Sequence, residues 1–176
     1  MENREIRADY DDQSIVVYQA YSPAIALPAV AAQRFVPPFK AERMTWIKPS
    51  FLWMMYRCGY ARKEGQEHVL AVRITREGFD WAVSQAVESN AQVKGKPAVR
   101  VQWDPERGLR HEPLPHRSIQ IGLAREASDM YVNEWTVSIT DVTALAREVH
   151  AAVRAGDDEA ARALLPVERP YAVSER

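Results

Sequence analysis

Patterns typical of β-strands and of α-helices follow one another along this chain without a regular period, and this irregular order constrains the fold most. β-Branched and aromatic runs, or alternation of apolar and polar residues, predict strands. The predicted strands are residues 14–21, 43–47, 68–75, 97–103, 117–123 and 135–140. A regular βαβ period would indicate a parallel sheet. Its absence favours an α+β fold with a largely antiparallel sheet and flanking helices.

The length of 176 residues predicts a single domain over residues 1–176. Residues 1–140 contain the predicted strands and form the expected α+β core. Residues 141–176 predict a C-terminal helical hairpin, with Gly156, Asp157 and Asp158 at its turn.

The composition excludes several classes of function. The 23 basic and 24 acidic side chains nearly balance, so the chain has no global positive field for nucleic acid or an anionic membrane. No apolar run approaches the roughly 20 residues that span a bilayer, and the polar N-terminus is unlike a secretory signal. Cys58 is the only cysteine, which excludes an internal disulfide and a thiolate metal cluster. We expect a soluble, cytoplasmic protein with no membrane partner.

Two prolines set local expectations. Ser22 and Pro23 suit the start of a helix, and we expect Pro28 to divide this helix into two short pieces. Residues 104–108, with Pro105 in second position, predict a turn that ends the preceding strand.

The side chains around that second proline are polar. Gln102, Asp104 and Arg107 gather near the predicted turn, where such residues usually close their own loop.

Residues 43–57 combine aromatic, sulfur-containing and basic side chains. After a short strand, Pro49 can open a helix. Phe51, Met54, Met55 and Cys58 share one face of this helix, which predicts that they belong to the core.

The junction of this strand and helix predicts a binding site. Lys48, the Ser50 hydroxyl and the free N–H groups of the helix start can hold a phosphate. Trp46, beside them, can stack on a base or on a nicotinamide ring. The alternative is that Trp46 and Trp53 fill the core and that Lys48 is solvated.

Two other predicted strands carry polar residues that can hydrogen-bond a ligand. In residues 14–21, Tyr18 lies on one face, and Gln19 and Tyr21 lie on the other, although this strand can also be an exposed edge. In residues 117–123, Arg117 shares its face with two isoleucines, and Gln120 lies on the opposite face. The four histidines include no pair at metal-ligand spacing, so no metal site is predicted.

Long blocks of the chain resemble the bacterial and fungal family called domain of unknown function 4291. The blocks include "IRADYDDQSIVVYQAYSPAIA", "FVPPFKAERMTWIKPSFLWMMYRCGYARKEGQEHVLAVRITREGFDWA", "VRVQWDPERG", "RSIQIGL" and "EWTVSITDVT". This resemblance covers nearly the whole chain and implies no activity.

A second resemblance is to the ADP-ribosyltransferase fold, a split antiparallel sheet that binds NAD. "VVYQAYSPAIALPAV" is similar to the first strand and helix of those enzymes, and "MTWIKPSFLWMMYRCGY" is similar to the second pair. "RSIQIGL" is similar to the late strand that carries a catalytic Glu. This resemblance implies that NAD is a substrate and that its ADP-ribosyl group goes to an unidentified protein or RNA acceptor.

The second resemblance also implies roles for individual residues. The implied catalytic residues are Tyr18 and Gln120. The implied contacts to NAD come from Gln19, Tyr21, Arg43, Trp46, Lys48, Ser50 and Arg117.

Two of these positions depart from the pattern of that fold. Gln19 stands where Arg or His is usual, and Gln120 stands where Glu is usual. A glutamine can hydrogen-bond a ribose hydroxyl but cannot act as a base. Either the carboxylate comes from elsewhere, or the chemistry differs, or catalysis is lost.

Two alternatives to an enzyme stay open. The chain can be a non-catalytic module that stacks a nucleotide or single-stranded RNA on Trp46 and Trp103, with Arg43, Arg100 and Arg107 on phosphates. It can also be a protein-binding adaptor that uses the C-terminal hairpin.

Overall fold

A three-stranded antiparallel sheet forms the centre of the chain. The computed structural model describes residues 3–174. In the central sheet, β2 (Ser14–Tyr21) and β8 (Thr136–Asp141) pair on either side of β4 (His68–Thr75). β-Branched residues fill these strands, because such side chains pack well on a pleated, buried surface.

A second sheet contains four strands in the order β3-β7-β6-β5. Strands β3 (Thr45–Ile47), β7 (Pro113–Leu123) and β6 (Val99–Arg107) pair antiparallel, and the short β5 (Val87–Glu88) pairs parallel to β6. The predicted α+β class with antiparallel sheets is therefore confirmed.

The two larger sheets meet where β2 passes the end of β3. The Tyr18 N–H donates a hydrogen bond of 2.7 Å to the Lys48 carbonyl oxygen, and this bridge is antiparallel. The bridge places the polar end of β2 beside the strand-to-helix junction at Lys48.

Helices cover both sheets, and three of the six α-helices begin at a side-chain cap. They are α1 (Pro23–Ala32), α2 (Phe51–Cys58), α3 (Arg76–Gln85), α4 (Arg125–Met130), α5 (Thr143–Arg154) and α6 (Asp158–Leu164). A π-helical segment, Tyr131–Trp135, continues α4. The side chains of Ser50, Thr75 and Asp157 accept the capping hydrogen bonds of α2, α3 and α6.

The expectation that Pro28 divides its helix is wrong. Helix α1 is continuous through Pro28. A proline within a helix leaves the carbonyl four residues earlier without its partner. Here that residue is Ala24, which is exposed, so water can hydrogen-bond the carbonyl.

The predicted turn at residues 104–108 is also wrong. Strand β6 continues through Pro105 to Arg107, with an irregularity of register between these two residues, a position where strands tolerate proline. The hairpin closes later, where the Gly108 N–H donates to the Glu112 carbonyl at 2.9 Å.

Two clusters of buried side chains form the core, and the prediction for α2 is confirmed. Phe51, Met54, Met55 and Cys58 are at most 2% exposed and pack in the second cluster, with residues of α5 and α6. The first cluster lies around the sheets and includes Ile15, Leu70 and other strand residues.

The C-terminal hairpin forms as predicted from α5 and α6, but the chain then returns to the core. Strand β9 (Arg169–Pro170) pairs antiparallel with β1 (Arg7–Ala8). The hydroxyl of Tyr171 donates to Asp80 at 2.5 Å and ties this segment to α3. Among residues 3–174, none of the helices combines the length and apolar character needed to cross a membrane.

Candidate functional site

A cavity of about 720 Å³ lies at the junction of the two larger sheets. The end of β2, strand β3, helix α2 and the paired strands β6 and β7 line it, together with Gly65 and Gln66 of the loop after α2. The junction thus brings together segments that are far apart along the sequence.

An aromatic wall comes from β3. Trp46 crosses β7 at Gly122, where an added Cβ would lie 3.0 Å from two atoms of the indole ring and 2.8 Å from the Met44 sulfur. Because Gly122 has no side chain, Trp46 can lie against the strand and line the cavity. Its ring is only partly buried, so a planar ligand can stack on it.

Lys48 lies at the end of this wall and is only 6% exposed. Its ammonium group donates to the Trp46 carbonyl at 3.1 Å and lies 5.6 Å from the centre of the Trp53 ring. Within residues 3–174, Lys48 forms no ion pair with a carboxylate. Burial, together with the nearby charge of Arg57, lowers the pKa of Lys48 to about 7.

Two arginines add positive charge to the lining. Arg57, in the last turn of α2, is exposed. The Arg107 guanidinium lies 4.0 Å from the centre of the Tyr56 ring and donates to the His111 carbonyl at 3.2 Å. With Lys48, these residues give the cavity three cationic groups.

Asp104 is the only carboxylate among the cavity-lining residues of the described chain. The amide of Gln102 donates to one of its oxygens at 3.0 Å, and the amide of Gln120 donates to the other at 3.1 Å. Gln102 and Gln120 face each other across β6 and β7. The two amides fix the orientation of the carboxylate, whose remaining lone pairs can accept hydrogen bonds from a ligand.

The end of β2 adds a buried hydrogen-bonded chain. The Tyr131 hydroxyl donates to the side-chain amide oxygen of Gln19 at 2.5 Å, and the side-chain amide nitrogen of Gln19 donates to the Tyr21 hydroxyl at 2.8 Å. Burial raises the pKa of Tyr21 to about 12. These contacts fix Gln19 and Tyr21 as neutral groups at the cavity wall.

The structure brings together five of the residues predicted for the site. These are Gln19, Tyr21, Trp46, Lys48 and Gln120, and all of them line the cavity.

Tyr18 and Ser50 lie next to the cavity but are committed to other contacts. Tyr18 is 2% exposed, and its ring meets Phe51 edge to face with 5.5 Å between ring centres. The Ser50 oxygen accepts from the Trp53 N–H at 3.0 Å and donates to Glu106 at 2.9 Å.

The first N–H group of α2 also has a partner in the protein. The Phe51 N–H donates to a Glu168 oxygen at 2.9 Å, although the two residues are far apart in the sequence. A protein carboxyl group therefore occupies the position that the sequence analysis assigned to a phosphate.

Arg43 and Arg117 lie outside the cavity lining. Arg43 is exposed before the start of β3. The Arg117 guanidinium donates to the Trp103 carbonyl at 3.1 Å, on the face of β7 opposite Gln120.

Gln102 and Asp104 were assigned to a turn from the sequence, so these two were missed as cavity residues, and Arg107 was named as a ligand contact only in the nucleotide-binding alternative. The alternation of Gln102 and Asp104 is the signal that could have identified these two residues, because both point to one face of β6, which continues past Asp104. In residues 3–174, no group of three or more His, Cys, Asp or Glu side chains is arranged to hold a metal ion.

The comparisons with known proteins agree with the family resemblance. The family model described as Domain of unknown function (DUF4291) matches residues 5–171. The chain belongs to this family. No curated protein matches this DUF4291 chain. The match covers every strand and helix that lines the cavity.

Proposed function

We propose that the cavity binds a nucleotide, that this nucleotide is NAD, and that the chain is an ADP-ribosyltransferase-like enzyme. One observation carries the proposal. Among the described residues, a buried lysine that has no carboxylate partner, a carboxylate held by two amides and the half-buried ring of Trp46 line the same cavity.

The charges of the cavity suit the parts of a dinucleotide. A diphosphate can supply the anionic partner that Lys48 lacks among the described residues, and Arg57 can contact the same oxygens. The ring of Trp46 offers a stacking surface for nicotinamide or adenine. Asp104 can accept hydrogen bonds from the ribose hydroxyls.

Asp104 also supplies the catalytic carboxylate, which Gln120 cannot provide because its side chain is an amide. Breaking the bond between nicotinamide and ribose builds positive charge on the ribose carbon, and an oriented carboxylate stabilises such charge. In this proposal Asp104 is the catalytic carboxylate, and Gln120 is a positioning residue that holds it. Tyr18 supports the site through its backbone bond to Lys48. The ADP-ribosyltransferase-like fold is part of the same proposal, supported by two antiparallel sheets that meet at a cavity.

Isothermal titration with NAD and an assay of nicotinamide release test the proposal. We expect NAD to bind the wild type, and Lys48→Ala to weaken binding by roughly ten- to a hundredfold, the range for a lost hydrogen bond to a charged group. Lys40→Ala, at an exposed position, is the matched control and should bind as the wild type does. Asp104→Asn should keep the binding and lose nicotinamide release. Folded protein that gives no heat with millimolar NAD would refute the proposal.

A non-catalytic nucleotide-binding module is the second candidate, favoured by the glutamine at position 120. It predicts NAD binding without nicotinamide release in the wild type. Single-stranded RNA is a less suitable ligand, because Trp103 packs against the core and the Arg100 guanidinium donates to three backbone carbonyls.

A further inference from the structure

Lys48 has the surroundings of a nucleophilic amine. A lysine becomes nucleophilic when it is desolvated, or when it lies near another cation, because both conditions favour its neutral form. Lys48 meets both conditions, since it is 6% exposed and lies within the field of Arg57. With a pKa of about 7, roughly half of the amine is neutral at pH 7.

Lys48 also lies at the cavity wall and, among residues 3–174, forms no ion pair with a carboxylate. Lys48 lines the cavity, and its only hydrogen bond within the described residues is to the Trp46 carbonyl. In this hydrogen bond the amine donates an N–H to the backbone carbonyl, so the lone pair of the neutral amine stays free. The nitrogen can therefore attack a carbon that is held above Trp46.

We propose that Lys48 condenses with the carbonyl carbon of a phosphorylated hydroxyaldehyde or hydroxyketone, the class that includes open-chain sugar phosphates. The Lys48 nitrogen attacks the carbonyl carbon, and the carbonyl oxygen takes up a proton to give a carbinolamine. The hydroxyl group then leaves and takes the second proton of the nitrogen to form water, and the C=N bond of the imine forms; the first proton of the nitrogen balances the one that the carbonyl oxygen took up. The step consumes no oxidant or reductant and needs no NAD, so it goes beyond the proposed function.

The rest of the lining indicates this class of substrate. Arg57 and Arg107 can hold the phosphate, and arginine pairs well with phosphate oxygens. Asp104 and the carbonyl oxygens of Gln102 and Gln120 accept hydrogen bonds from hydroxyl groups.

The chain contains its own control lysines. Lys40, Lys63, Lys94 and Lys96 are all exposed, whereas Lys48 is buried. Exposed lysines are largely protonated at neutral pH and react slowly with aldehydes.

Reductive trapping tests the proposal on the intact protein. The chain is incubated with pyridoxal 5′-phosphate and cyanoborohydride, and peptide mass spectrometry locates the reduced adduct. We expect Lys48 to be labelled at least about ten times faster than any exposed lysine, as its neutral fraction requires. Labelling of the exposed lysines at the same rate as Lys48, or no label on Lys48, would overturn the proposal.

Two matched probes test the phosphate and the sugar. Pyridoxal, which lacks the phosphate, should label Lys48 at least tenfold more slowly than pyridoxal 5′-phosphate, and Arg57→Gln should remove most of this difference. Ribose 5-phosphate should give a reduced adduct on Lys48, and ribose should give far less. Equal labelling with and without phosphate in either pair contradicts the assigned substrate class.

A variant and a separate titration complete the design. Lys48→Arg keeps a cation in the cavity and should give no adduct, while the exposed lysines of the variant react as before. NAD has no free aldehyde, so a wild type that binds NAD but fails to trap the probes refutes this inference and leaves the proposed function standing.

Discussion

Replacing Lys48 with methionine is expected to stabilise the protein. The pKa of Lys48 falls from 10.5 in the unfolded chain to about 7 in the folded chain because the ammonium group is buried. Each tenfold change in this protonation equilibrium is about 1.4 kcal/mol, so the buried cation destabilises the fold by roughly 4 kcal/mol near pH 7. Methionine has a similar length and no charge. It loses the bond to the Trp46 carbonyl, which offsets about 1 kcal/mol.

The expected gain in the free energy of unfolding is therefore about 3 kcal/mol near pH 7. The sign of the pH dependence follows from the lowered pKa. The folded state binds the lysine proton less strongly than the unfolded state does, so the penalty is complete below about pH 7 and disappears above about pH 10.5. The gain from Lys48→Met should shrink accordingly, because the charge penalty falls below about 1 kcal/mol near pH 10.

Urea unfolding of the wild type and of Lys48→Met, at about pH 7 and about pH 10, measures both effects. The exposed Lys40→Met is the control and should change stability by less than about 0.5 kcal/mol. A Lys48→Met protein that is less stable than the wild type at neutral pH would show that the lysine is structural. A gain that does not depend on pH would also refute the reasoning, since the charge would then not be its cause.

Three other substitutions test the packing of the core and the ionisation of one buried carboxyl group. Phe51→Ala removes a ring that is 1% exposed and should lower the free energy of unfolding by about 3–5 kcal/mol in urea; a loss below about 1 kcal/mol contradicts its place in the core. Gly78→Ala would put a Cβ 2.4 Å from the Trp135 ring, so thermal unfolding should show a loss of about 1–3 kcal/mol or more from overpacking, and unchanged melting would contradict that contact. Burial raises the pKa of Glu168 from 4.5 to about 8, so stability that the protonated group provides is lost as pH rises between those values. Glu168→Gln should flatten this part of the pH–stability curve, and a wild-type slope in the variant would rule out Glu168 as its source.

Local signals in the sequence predicted much of the secondary structure. Runs of β-branched residues and alternation predicted two strands of the central sheet, at residues 14–21 and 68–75, with the bounds that the structure has. The apolar face of α2, also a local pattern, identified its buried residues.

The predictions for Pro28 and Pro105 were wrong because contacts with distant parts of the chain keep both prolines in regular secondary structure. Pro28 remains in a continuous helix whose Ala26 and Ala29 are buried against the rest of the protein. Pro105 remains in β6 because β7 pairs with it on both sides of the irregularity, at Asp104 and at Arg107. Pairing with a distant strand is not visible in a local turn pattern.

Five residues of the candidate site were predicted, but the contacts between distant segments that complete the site were not. Trp46 and Lys48 belong to one short segment, and alternation placed them on one face. Asp104 was missed because its role depends on a strand that continues past a proline, and on an amide from Gln120 in the neighbouring strand. The occupation of the α2 N-terminus by Glu168 depends on the return of the C-terminal segment, which no local pattern indicates.

A crystal structure of the chain with bound NAD tests the central proposal most directly. We predict diphosphate oxygens within about 3 Å of the Lys48 ammonium group, a ribose hydroxyl hydrogen-bonded to Asp104, and a ring stacked on Trp46. NAD bound away from this cavity, or a cavity that stays empty of NAD in a saturated crystal, would contradict the account.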